Sequence, residues 1–150
     1  MPQSFAHLAV HLVFSAKNRE PILNAATLPK LHAYFVGIIK GLNCTPIQIG
    51  GVADHVHLLF ALSRTRAIAD VTRELKTNST NWLHTQSPRY NQFHWQVGYG
   101  VFSVSASTMP DVKSYIVQQP EHHRKVTFQD EYRALLAKHG IAYDERYMWD

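Results

Sequence analysis

The sequence predicts an α+β fold, an antiparallel sheet with helices on one face, and three observations predict it. Apolar residues alternate at period two in "HLAVHLVFS" (7–15) and in two runs of "TPIQIGGVADHVHLLFAL" (45–62). Between and after those runs they recur at the three-to-four residue spacing of helix stripes. The resulting order is strand, helix, hairpin, helix, strand and two helices, which a compact ferredoxin-like sheet accommodates best.

Composition is consistent with one folding unit spanning residues 1–150. A chain of 150 residues can bury roughly two thirds of the surface its unfolded form exposes. No apolar run approaches the roughly 20 residues that a membrane helix requires. The amino-terminal "MPQSFAHLAVHLVF" lacks a basic leader and cleavage site, so the expected location is cytoplasmic. The single cysteine, Cys44, excludes an internal disulfide and a cysteine-rich zinc site, and reads as a small buried hydrophobe. Fifteen Lys and Arg against eleven Asp and Glu give a net charge of +4, with a pI near 9.3 that favours a polyanionic partner.

The elements follow in order. In the first strand Leu8, Val10, Leu12 and Phe14 alternate with His7, Ala9, His11 and Val13, which puts His7 and His11 on its less buried face. From Leu28, apolar positions at Leu31, Phe35, Ile38, Ile39 and Leu42 form one helix stripe, and Gly41 with Asn43 marks its end. The 45–62 segment reads as a hairpin turning at Gly50, Gly51 and a short polar link. In 66–85, Ile68, Val71, Leu75 and Trp82 share a stripe, while Arg66, Arg73 and Lys76 lie off it and face outward. Residues 95–107 are aromatic and β-branched enough for a last strand, with Gly98 and Gly100 implying a bulge or close backbone approach. Thr108 with Asp111, and Thr127 with Asp130, match capping-box-like helix starts. Pro120 ends or kinks the first of these helices. Phe128, Tyr132, Leu135 and Leu136 give the second its apolar face, up to Gly140.

Chemistry begins at "DHVHLLF" (54–60). On a strand His55, His57 and Leu59 project to one side and Val56, Leu58 and Phe60 to the other, so two imidazoles stand together. Such a pair can hold a metal ion, a phosphate or water. In "PDVKSYIVQQPEHH" (110–123) Tyr115 and Gln119 are helical neighbours four apart, able to present a phenol and an amide oxygen to the same point. The stripe Val112, Tyr115, Ile116 and Gln119 equally fits ordinary packing. His122 and His123 read as solvated surface residues. Arg73 and Lys76 are candidates for phosphate contact, with a merely solvated helix face as the equal alternative. Ser103, Ser105 and Ser107 lack a hydrolase elbow, and "GYG" lacks the rest of a nucleotide-binding loop.

Three segments together resemble the single-tyrosine HUH transposases of bacterial insertion sequences, the IS200-like family. They are "DHVHLLF", "HWQVGYGVFSVSAS" leading into a helix, and "YIVQQPEHH" followed by "FQDEYRALLAKHGIAYDERY"; with the early "FSAKNREPIL" the resemblance covers nearly the whole chain. It departs from the common pattern at Gln118, where asparagine is frequent, and at Pro120, directly after the ligand position. The resemblance implies a ferredoxin-like fold with Tyr115 as nucleophile on a C-terminal helix. It also implies His55, His57 and Gln119 as ligands of a divalent ion, Mg²⁺ or Mn²⁺. The implied activity is cleavage and rejoining of single-stranded DNA at hairpin-bearing element ends through a 5′-phosphotyrosine. The implied setting is a nucleoid-associated homodimer in which "GVFSVSASTMP" is a flexible arm that lets one subunit's tyrosine helix complete its partner's site. Two rivals are a domesticated relative that binds or processes hairpins, and a non-catalytic ferredoxin-like binding module.

Overall fold

The computed structural model describes residues 2–150. Its core is a four-stranded antiparallel sheet in the order β2-β3-β1-β4, with β1 at Ala9–Ser15, β2 at Thr45–Val52, β3 at His55–Ala61 and β4 at Gly100–Val104. Helix α1 (Leu28–Gly41) connects β1 to β2, and α2 (Ile68–Gln86) connects β3 to β4. This is the ferredoxin-like arrangement expected from the element order. The sequence places the central strands correctly because β1 and β3 are buried on both faces, with Leu12 paired to Leu58 and Val13 to His57.

The first face carries the larger core. Leu12, Phe14, Val56, Leu58 and Phe60 project from the sheet against Leu31, Phe35 and Ile39 of α1 and Val71, Leu75 and Leu83 of α2. Apolar area removed from water drives this layer, at about 25 cal/mol per Å².

The second face is covered as well, by α3 (Met109–Val117), the short α4 (Gln119–His122) and α5 (Phe128–Lys138). Two small apolar clusters hold that cover. Ile116 of α3 meets Ala9, Leu59 and Val104, while Phe128, Tyr132 and Leu136 of α5 meet Val13 and Phe102. His11 is therefore only 3% exposed and not on a less buried face, whereas His7 lies outside the strand and is exposed. Cys44 is buried, as its reading as a small hydrophobe expects.

Local departures have local causes. Gly50 and Gly51 lie inside β2 rather than at its turn, which falls at Ala53 and Asp54. A Cβ on Gly50 would lie 2.6 Å from the carbonyl oxygen of Ile116, so the glycine lets α3 cross directly over the strand beside its pairing partner His57. Strand β4 is shorter than the 95–107 run because 95–99 is irregular. A Cβ on Gly100 would come within 2.7 Å of the Tyr132 ring, the close approach anticipated there. Thr108 makes no side-chain cap, while the hydroxyl of Thr127 accepts from the Asp130 N–H at 3.2 Å. Pro120 sits in the first turn of α4, where it forfeits no intrahelical N–H bond, and marks the break between α3 and α4.

Replacing Gly50 by alanine should push α3 off the sheet. The expected loss is about 1–3 kcal/mol of stability by denaturant unfolding, accompanied by faster amide exchange across 109–117 than elsewhere.

Candidate active site

The site lies on the second sheet face, where four elements converge. Strand β3 supplies His55 and His57, both fully buried, and period-two geometry aims both away from the main core. Helix α3 brings Tyr115 and the helix break brings fully buried Gln119. The four residues singled out from the "HVH" and "YIVQQ" segments are thus brought together. Arg73 and Lys76 are not, because α2 packs on the opposite face.

The centre of the site was not anticipated. Glu131 of α5 is 3% exposed and places Oε1 3.0 Å from His57 Nε2, 3.2 Å from His55 Nε2 and 3.1 Å from His123 Nε2. Its Oε2 accepts from Gln119 Nε2 at 2.9 Å and from the Tyr115 hydroxyl in a short hydrogen bond. His123 has a side chain only 9% exposed, and His122, 31% exposed, reaches within 3.3 Å of Glu131 Oε2. The doublet is therefore not a solvated pair: the turn after Pro120 folds it back over the sheet.

Outer contacts fix the rings. His55 Nδ1 donates to the Asp54 carboxylate at 2.6 Å and His123 Nδ1 donates to the Val126 carbonyl at 2.7 Å, since neither acceptor carries a proton to give. His11 Nε2 and His57 Nδ1 share a hydrogen bond of 2.7 Å.

Electrostatics follow from this packing. Burial lowers the His55 pKa, but hydrogen bonds to Asp54 and Glu131 outweigh it and raise the imidazole to about 9. A protonated ring is also what two acceptors require, because His55 Nε2 donates to Gln119 Oε1 at 3.1 Å. Burial takes His57 down to about 4, so it is neutral beside its charged neighbour. Burial would raise Glu131, yet the imidazoles of His123, His55 and His57 hold it far below the usual carboxylate range. Burial and the Glu131 charge together push the Tyr115 phenol well above its ordinary value.

A cavity of about 830 Å³ opens beside this cluster, with His11, Phe102, Tyr115, His122, Glu131 and His139 in its wall. The phenol and the carboxylate thus both border the cavity.

The donors suit a metal ion. The ligating atoms of His55, His57, His123 and Glu131 lie within 4.8 Å of one another, and His123 Nε2 is buried with no hydrogen-bond partner despite its closeness to Glu131. A cluster of imidazoles around a carboxylate is a donor set that divalent ions accept.

On α2, Arg73 is exposed, with Asp70 as its ion-pair partner at 3.1 Å. Lys76 does not face outward. Its ammonium donates to the carbonyls of Gln96, Val97 and Gly98 at 2.8, 3.0 and 2.7 Å, under the rings of Phe14 and Tyr99. Three carbonyls of the irregular 95–99 segment converge on the ammonium and hold the side chain down.

Fold and site together define a ferredoxin-like α+β domain with a buried histidine–carboxylate cluster against a half-buried tyrosine. The family description "Transposase IS200 like" matches residues 4–119, and the chain belongs to that family. It is 26% identical over 117 residues to the ISDra2 transposase TnpA of Deinococcus radiodurans, spanning 75% of this chain and 84% of that one. Two solved structures share the fold at a TM-score of 0.62 each. One, assigned as a transposase from Deinococcus radiodurans, is 23% identical and is matched over 79% of this chain and 98% of that one. The other, a REP-associated tyrosine transposase bound to a REP hairpin, is 14% identical and is matched over 84% of this chain and 74% of that one. No helix among the described residues is long and apolar enough to cross a membrane.

The charge on His55 gives the metal-free protein a pH signature. Its folded pKa, about 9, exceeds the ordinary 6.5, so the stability it contributes is complete below pH 6.5 and is lost as pH rises through 9. Melting temperature in EDTA should therefore fall between pH 7 and 10 for the native chain and stay flatter for His55→Gln. Parallel curves would place the proton elsewhere.

Proposed function

We propose that this chain is a metal-dependent transposase that cleaves and rejoins single-stranded DNA at hairpin-bearing ends, with Tyr115 as the covalent nucleophile. The observation that carries the reading is that Tyr115 is half-buried at the wall of the cavity, its hydroxyl held by Glu131 among the histidines.

In this reading His55, His57 and Gln119 hold a divalent ion, which supplies Lewis-acid polarisation of the scissile phosphate when bound. The chain's own residues do the rest. Packing of Ile116 and the Glu131 hydrogen bond orient the phenol, whose proton passes to solvent water as the oxygen attacks. The phenolic oxygen attacks phosphorus, the bond to the 3′ oxygen breaks, and the freed 3′ oxygen takes a proton from water. The DNA is left as a 5′-phosphotyrosine that a later 3′-hydroxyl can reverse. Because the phenol is raised far above neutral pH, the step depends on charge stabilisation at the phosphate.

Hairpin recognition rests on the REP hairpin bound by one structural relative. Homodimerisation, nucleoid association and phosphate contact by Arg73 belong to the same reading. Within one chain the Tyr115 hydroxyl bonds Glu131, which supports a site that the chain's own tyrosine completes. Lys76, held by carbonyls, is proposed only to reach DNA if the 96–98 loop releases it.

Incubation with single-stranded hairpin DNA and Mn²⁺ should give a denaturant-resistant adduct with the native chain and none with Tyr115→Phe, at nearly unchanged hairpin affinity. An adduct persisting in the Phe variant would assign the nucleophile elsewhere, and none with the native chain would support a binding module instead. His57→Ala should likewise abolish the adduct, and EDTA should suppress it in the native chain. Affinity should also fall with salt by a log–log slope of about −0.7 per neutralised phosphate, a slope that Arg73→Ala flattens.

A further inference from the structure

We infer that His123 and Glu131, both beyond the part of the chain matched by the family, join His55 and His57 as direct ligands of the ion and give this site a preference for Mn²⁺ over Mg²⁺. The inference deepens the proposed function and rests on its metal dependence. The match to the family ends at Gln119, whereas both residues come from the α4–α5 segment that follows.

Three observations carry it. The Nε2 atoms of His55, His57 and His123 all lie 3.0–3.2 Å from a single oxygen, Glu131 Oε1. His123 Nε2, on a side chain nine-tenths buried, is aimed at that point without a hydrogen-bond partner. The far nitrogens are anchored outside, His55 by Asp54, His123 by the Val126 carbonyl and His57 by His11. Metal-bound histidines have that wiring, in which an outer partner on Nδ1 fixes the tautomer that leaves the Nε2 lone pair for the ion. His11 can accept as readily as donate, so it supports the tautomer of His57 that ligation needs.

The donor set then decides the class of ion. Mg²⁺ favours oxygen ligands and keeps several waters, while imidazoles favour later first-row metals. Three imidazole nitrogens with one carboxylate therefore select Mn²⁺ and its neighbours over Mg²⁺. Gln119, whose Nε2 donates to Glu131 Oε2, holds that carboxylate in place in addition to offering its own oxygen.

The test is the ion's own spectrum. With ¹⁵N-histidine labelling, pulsed EPR of the Mn²⁺-loaded chain should count three coupled imidazole nitrogens, and His123→Ala should count two. Calorimetric Mn²⁺ affinity should fall at least about tenfold in His123→Ala and in Glu131→Gln, since even outer-sphere partners of metal ligands are worth that much. A hundredfold excess of Mg²⁺ should leave the Mn²⁺ signal in place. Two nitrogens in the native chain, unchanged in His123→Ala, would overturn the inference and leave the proposed function standing. Displacement by Mg²⁺ would overturn the stated preference. Absence of any Mn²⁺ binding by the native chain would remove the ion from both readings.

Discussion

The Glu131 carboxylate is a negative charge taken out of water and set among three buried imidazoles, an amide and a phenol. An unpaired buried charge is strongly destabilising, so the neighbours that compensate it are held in place as firmly as the charge itself. Here those neighbours come from β3, α3, the helix break and the turn before α5. One ionic contact therefore ties the C-terminal cover to the centre of the sheet. The apolar clusters on either side, Ile116 with Leu59 and Phe128 with Val13, set the distance at which the cover rests. Neither cluster alone is large, and the polar centre between them gives the cover its register.

That arrangement also explains why the two sheet faces differ. The α1–α2 face is closed by ordinary burial and needs no polar partner. The opposite face takes polar groups along alternate positions of β1 and β3, His11, His55 and His57, and each must find a partner under the cover. His11 bonds to His57, His57 to Glu131, and Glu131 to Tyr115, a continuous chain from the middle of β1 to the wall of the cavity. A change at His11 would thus be felt at the phenol through two intermediates and also directly, since the His11 and Tyr115 rings stand edge to face with centroids 6.2 Å apart.

Much of this was legible in the sequence. Strand histidines at period two and a tyrosine and glutamine four apart are local patterns, and local patterns survive translation into structure. The remainder depended on contacts distant along the chain: His11 meets His57, and His57 meets Glu131, across intervals that no periodicity reports. One signal was available for Glu131. It lies three after Phe128 and four before Leu135, an acidic residue on the apolar stripe of its helix, where charge must find a partner or unfold the turn. The same logic fails for Lys76, which looked solvated because it lies off the α2 stripe, although the irregular 95–99 backbone supplies three carbonyls to hold it.

The position of Tyr115 sets competing demands on its surroundings. A carboxylate that accepts the phenol's hydrogen bond orients the oxygen, but its charge also opposes formation of phenolate, so the group that positions the nucleophile restrains it. Positive charge close to Glu131 relieves the restraint without loosening the geometry. In the metal-free chain that charge is the proton on His55, balanced between Asp54 and Glu131. A divalent cation bound by the same imidazoles would replace the proton with a larger charge at the same place. The buried histidines and the carboxylate thus link the state of the cation site to the reactivity of the tyrosine, and that link runs through the segment that follows the family match.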